Sequence, residues 1–256
     1  MIYFLIFIFG LAIGSFLNVV ICRLKTNESI LIGRSYCPKC GTILEWHDLI
    51  PLLSFLIQKG RCRYCGKKIS WQYPMVEIAT GLLFLLIFNF QFSIFNEFSI
   101  FYFINLSYYL IIISFLIIIF VYDLKHYLIL DKVIFTALII TLFYQIFIGN
   151  FLNPSLSGLI AGGFFWSLVL VSNGKWMGLG DVKLALLMGL ILGFPDIISA
   201  LFLSFFIGAI IGIILILFGK KGIKSEIPFG PFLAGSTILI MLYGQYLNTW
   251  YYSLFL

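Results

Sequence analysis

Two aspartates hold the most promising chemistry in this chain. Asp181 closes the glycine-rich stretch of Gly178-Leu179-Gly180-Asp181-Val182-Lys183 and opens an apolar run that ends before Pro195. Asp123, in Val121-Tyr122-Asp123-Leu124-Lys125-His126, terminates another apolar run. Acids beside hydrocarbon are costly, and within membrane segments they mark functional sites by default. Two carboxylates sharing one site do not both ionise readily, so such a pair keeps one proton, and its titrations belong to the pair. The ionised member can deprotonate a water while the protonated one polarises a peptide carbonyl. The plainer reading also stands: Asp181 is a helix N-cap and the glycines form a turn. On the functional reading, free N–H groups at the helix start favour an ionised Asp181. Gly178 and Gly180 would then let an extended segment approach another backbone. Lys183 screens the pair, meets a substrate, or simply snorkels to lipid phosphate. Asp131 has a weaker claim to chemistry, since it can N-cap the segment that follows it.

A second set of residues has metal-ligand spacing. Cys37-Pro38-Lys39-Cys40-Gly41 and Cys62-Arg63-Tyr64-Cys65-Gly66 are two CxxC knuckles. Each knuckle presents two thiolates on one tight turn, and four thiolates close a tetrahedron around structural zinc. Gly41 and Gly66 follow directly, where such turns require positive φ. Two disulfides are the rival reading, which a reducing compartment disfavours; four unrelated thiols would not repeat the spacing. Cys22 is expected to pack rather than ligate. His47 and His126 have no ligand-like spacing and read as surface residues.

The elements that must position these groups are membrane helices. The chain has 256 residues, is 62% hydrophobic and 10% charged, and has a mean hydropathy of +1.12; soluble domains carry roughly 25% charged residues. Apolar blocks fall near 2–22, 75–91, 100–122, 132–148, 156–172, 182–194, 197–218 and 229–248, each near the length needed to span or partly span a bilayer. The break at Gly193-Phe194-Pro195-Asp196 is short enough to leave seven spans as the alternative to eight. The first block lacks a basic leader segment and a small-residue cleavage site, so it is expected to be retained. With the N-terminus outside, the inner segments are 23–74, 123–131, 173–181 and 219–228. All 16 Lys and Arg lie in them or within two residues, while the outer side has only Glu97 and Asp196 as charged residues. This is the positive-inside pattern. The basic balance therefore reports a membrane lipid surface and no nucleic acid. From Asp181 to Phe194 the chain has 14 residues, about 21 Å of helix, against a hydrocarbon layer of about 30 Å. That shortfall puts Asp181 below the inner surface. Asp123 meets the same face.

The expected fold is an all-α polytopic membrane protein of about eight transmembrane helices with a small cytoplasmic zinc-binding loop domain. Its parts are a first helix at 1–22, a tetra-cysteine loop at 23–74 and a membrane core at 75–256.

Several segments resemble the type IV prepilin peptidase family, bifunctional leader peptidases and N-methyltransferases. These are 14–24 (GSFLNVVICRL), the twin CxxC loop, 73–84 (YPMVEIATGLLF), 123–131 (DLKHYLILD), 178–183 (GLGDVK) and 227–235 (IPFGPFLAG). The resemblance implies that Asp123 and Asp181 are the catalytic pair of a GxGD intramembrane aspartyl protease in a bacterial cytoplasmic membrane. It implies prepilin or pseudopilin substrates, cut where a basic leader meets an apolar helix, and methylation from S-adenosylmethionine. Where that family usually has Ile-Pro-Asp, this chain has Ile129-Leu130-Asp131. No Gly-rich cofactor loop is present, so the methyl donor enters by resemblance alone. Glu77 either pairs with a cation or serves methyl transfer. The irregular Pro228-Phe229-Gly230-Pro231 entrance is expected to border the active site, since such backbone needs cover within a membrane. A peptidase-only activity is the nearest alternative. A proton-relay transporter would place acids deeper in the spans and show a sequence repeat, and a scaffold would leave both aspartates unexplained.

Overall fold

The computed structural model describes the backbone of every residue except 27, 30, 31, 96–98, 219–226 and 256, and side chains at all of these but 93–95, 245, 248 and 250–255. Glu97 and the basic stretch with Lys220, Lys221 and Lys224 lie outside the described residues. The helices are α1 (Ile2–Thr26), α2 (Leu53–Ile57), α3 (Gln72–Phe95), α4 (Ile100–His126), α5 (Asp131–Ile148), α6 (Leu152–Ser172), α7 (Leu179–Leu192), α8 (Asp196–Leu217) and α9 (Gly230–Phe255). A short 3-10 turn covers Trp46–Asp48, and two isolated bridges are the only β pairing among the described residues. Among the described residues, eight long helices thus match the eight apolar blocks. Gly193, at φ 70°, ends α7, and Pro195 precedes α8, so the sixth and seventh blocks are separate helices. Six of the eight (α1, α3, α4, α5, α6 and α8) are long and apolar enough to cross a membrane, and this is an integral membrane protein. Helices suit the task because each satisfies its own backbone polar groups away from water.

The chain divides into two compact units, Met1–Ile118 and Ile119–Leu256, with the boundary inside α4. In the first, α1 lies directly on α3. A Cβ added at Gly10 would come 2.7 Å from Gly81 Cα, and one at Gly14 would come 2.7 Å from Glu77 Cα. Small residues four apart let two backbones touch, which is how helices gain dispersion energy where lipid offers no hydrophobic drive. Buried Asn18 fastens the two ends, donating to Tyr73 O at 3.1 Å and accepting from Gln72 Nε2 at 3.1 Å.

In the second unit α7 is the hub. Helices α5, α6, α8 and α9 pack against it, and Leu184, Ala185, Leu187 and Met188 are fully buried. At 14 residues it reaches about 21 Å, and protein rather than lipid surrounds that length. Gly158 of α6 and Gly189 of α7 meet backbone to backbone. Asn153 clamps the end of the pair through two amide hydrogen bonds to Phe194, at 3.0 and 2.8 Å. Gln145 of α5 donates to Leu190 O at 2.9 Å. Alanine improves helix propensity over glycine by about 1 kcal/mol, yet a Cβ on Gly189 has no room. We expect Gly189→Ala to destabilise by about 2–3 kcal/mol through overpacking, read as a drop of several degrees in the thermal midpoint of detergent-solubilised protein. An unchanged or raised midpoint would contradict this packing.

Candidate active site and metal centre

Asp181 sits in the first turn of a helix and Asp123 in the last turn of another. Asp181 is the third residue of α7 rather than its N-cap, which is Gly178. Its Oδ2 accepts the Gly178 N–H at 3.2 Å, satisfying one of the donors that a helix start leaves orphaned. Asp123, on the last turn of α4, is 5% exposed. It accepts the N–H of Gly230, the first residue of α9. Pro231 follows comfortably, since the first turn of a helix has no use for its missing N–H. The Pro228–Pro231 entrance therefore does come to Asp123, as its sequence character suggested. Asp181 lies within electrostatic reach of Asp123. Two carboxylates from distant parts of the chain thus share one partly buried place in the second unit, each held by a main-chain donor.

Ile129 fills the space beside them. A Cβ on Gly180 would lie 3.0 Å from Ile129 Cβ, and one on Gly230 would lie 3.2 Å from its Cδ1. Gly180 permits a close approach to the Ile129 side chain. Gly178 has an extended φ of −87° and serves through its N–H. Asp131 is the first residue of α5, whose N-cap is Leu130. Its carboxylate pairs with Lys183 instead of capping. The Lys183 ammonium also stands 5.1 Å over the Phe135 ring, so this lysine ties α7 to α5 rather than running free to lipid. The His126 ring lies tilted at 57° against Tyr122, with centroids 4.6 Å apart.

The cysteine loop belongs to the first unit. The four Sγ atoms of Cys37, Cys40, Cys62 and Cys65 all lie within 4.8 Å of one another; a tetrahedral site with Zn–S near 2.3 Å needs separations of about 3.8 Å. Two equivalent hairpins build it, offset by 25 residues. Cys37 N donates to Thr42 O and Cys62 N to Lys67 O, both at 2.9 Å, while Gly41 and Gly66 close back on the first cysteine of each pair. Both glycines have positive φ, 73° and 67°. The thiols do not titrate alike. Hydrogen bonding from Thr42 holds Cys40 down at about 6. Against the Lys67 N–H, which favours its thiolate, burial and the neighbouring thiols push Cys65 up to about 11. Four sulfurs so crowded ionise together only against a cation, so the donor set and its spacing fit a structural metal. Cys22 stands apart, exposed, with its Sγ 3.4 Å from Tyr73 Oη.

Sequence reasoning missed the acid that organises this loop. The Asp48 carboxylate is 1% exposed, ion-pairs with Arg63 at 3.1 Å, and accepts from Gln58 at 2.9 Å and Tyr64 at 3.1 Å. Half-buried His47 lies 3.6 Å away, so it is no bare surface residue. Buried charge needs this many partners. An acid between two knuckles amid basic residues was the available signal. Glu77 also corrects an expectation. Its Oε2 accepts the Leu52 N–H at 2.7 Å and its carboxylate bonds Ser15, so a backbone donor in the loop takes the place of the expected cation. Leu52 itself has a strained φ of 62°.

A family model described as the bacterial peptidase A24 N-terminal domain matches residues 8–90, and one described as the type IV leader peptidase family matches residues 110–213. A Bacillus subtilis protein named prepilin leader peptidase/N-methyltransferase is 33% identical, with 96% of each chain covered. An Aeromonas salmonicida protein of that name is 32% identical over 97% of this chain and 93% of its own length. No solved structure matches. The chain belongs to the type IV leader peptidase family.

Proposed function

We propose that this protein is a prepilin leader peptidase that also N-methylates its product, set in the bacterial inner membrane with its N-terminus outside. The observation that carries the reading is the convergence of Asp123 and Asp181, each on a helix-start N–H, beside a wedge of Ile129. One carboxylate takes a proton from water as that water attacks the scissile carbonyl; the other, protonated, donates to the carbonyl oxygen. The main-chain donors orient both groups without competing positive charge. Prepilins and pseudopilins would present a basic leader at the cytoplasmic face, ahead of an apolar helix. In this reading 1–22 anchors the chain, 23–74 is a metal-stapled cytoplasmic module and 75–256 is the peptidase core.

Zinc would be held by Cys37, Cys40, Cys62 and Cys65 and would supply structural cross-linking only, since four protein ligands leave no open position. Methyl transfer from S-adenosylmethionine rests on the names of the relatives and the sequence resemblance. Glu77 is engaged with Leu52 and Ser15, and no step is assigned to it.

The direct test is to incubate purified protein in detergent with a prepilin and look for the shortened product; an intact precursor sinks the proposal. A more local consequence follows from Gly230. A Cβ there would come 2.5 Å from Asp123 Oδ2, forcing the carboxylate or α9 aside. Misplacing a catalytic group by about 1 Å costs about 10²-fold. We expect Gly230→Ala to lower kcat by that order while zinc content and thermal midpoint stay near wild type. Wild-type turnover would show that Gly230 has no part in placing Asp123.

A further inference from the structure

Helix α2 has its apolar side on the outside. Leu53, Leu56 and Ile57 occupy one helical face and are 55%, 60% and 73% exposed, while Phe55 turns inward onto Trp71 with ring centroids 5.1 Å apart. Trp46 and Trp71 flank the same segment and are 77% and 70% exposed. A small water-facing domain does not normally spend its largest side chains this way. The depth of α2 explains them. Leu52, the residue just before it, donates its N–H to Glu77. Glu77 is the sixth residue of α3, about 7.5 Å along the axis from Gln72 and within the apolar span Gln72–Phe92. Helix α2 is therefore tethered beside the first turns of a membrane helix, not above them. Trp71, one residue before α3, is where tryptophan favours the interface.

Charge selects the occupant. Between residues 32 and 71 there are seven Lys and Arg against two acids, with Lys59, Arg61, Arg63, Lys67 and Lys68 following α2 directly. A second copy of the chain would bring the same positive excess, and so would a basic leader. Anionic lipid is the complement, and an apolar face with adjacent basic residues is how a segment lies in the headgroup–acyl boundary.

We propose that α2 and its flanking tryptophans lie in the boundary layer of an anionic lipid leaflet, pinning the cysteine module flat against the membrane. The test uses full-length zinc-loaded protein in liposomes of phosphatidylcholine and phosphatidylglycerol doped with a lipid carrying a diazirine near the top of its acyl chain. After illumination, lipid adducts are mapped by mass spectrometry. The peptide over residues 46–57 should be labelled to within about threefold of the α8 span, and Leu56→Asp with Ile57→Asp should cut that labelling about fivefold at unchanged zinc stoichiometry. Replacing phosphatidylglycerol by phosphatidylcholine should lower it too. Labelling of 46–57 no higher than that of the knuckle peptide over residues 34–43 overturns the proposal. So do cross-links from 46–57 to a second copy in place of lipid, or labelling indifferent to lipid charge.

Discussion

Asp123→Asn and Asp181→Asn are each expected to lower leader cleavage by on the order of 10³-fold or more, with the helices intact by circular dichroism and zinc still bound. The amide is nearly isosteric, so packing around Ile129 and the hydrogen bonds from Gly178 and Gly230 survive in kind. What is lost is the ability to accept a proton from water or to cycle it between partners. Because the two groups act as a unit, the double variant should be little worse than either single one. The check is single-turnover cleavage of a prepilin by purified wild-type, single and double variants. If either single variant cleaves at the wild-type rate, the pair is not the catalytic centre. If the losses multiply fully, the two aspartates act independently.

The second large effect is expected at the sulfurs. Changing one thiol in each knuckle, Cys37→Ser with Cys62→Ser, removes two of four ligands, and structural zinc contributes roughly 10–16 kcal/mol of apparent binding free energy in small modules. Zinc stoichiometry should fall from about one to below about a tenth. Residues 59–68 should become the first sites of tryptic cutting, since they hold five basic residues on hairpins that the metal would otherwise staple. The membrane helices should persist, because α1 and α3 pack through Gly10, Gly14 and Gly81 without help from the loop. A metal-free variant as protease-resistant as wild type would show that Asp48 and its partners hold the loop alone.

The parts of this structure legible in the sequence are those written in residue type and period. The apolar blocks declare eight helices or seven, and the structure separates α7 from α8 at Gly193, whose φ is 70°. Doubled CxxC spacing declares the thiol cluster, and two acids at the ends of apolar runs declare the candidate pair. What stayed hidden are partnerships between a side chain and a distant backbone group. Glu77 meets the N–H of Leu52, 25 residues away, and Asp123 meets that of Gly230. Every residue but proline has an N–H, so no residue type announces which one will be used. The Lys183–Asp131 pair was hidden differently: both charges were visible, but the proximity of α5 and α7 is a product of packing. The contact of Gly180 with Ile129 was hidden in the same way, since glycine spacing does not say which side chain will fill the room it leaves.

Holding both acids by main-chain donors also affects how the site can change over time. A side-chain donor must be kept, residue for residue, whereas an N–H survives any substitution that preserves the path of the chain. Position 178 is thus free to drift without disturbing the grip on Asp181, since a Cβ there meets nothing nearer than 3.9 Å. Position 230 is not, because there the donor residue itself must stay small. One of the two donor positions is tolerant and the other strict, so random mutagenesis should return many active substitutions at 178 and very few at 230.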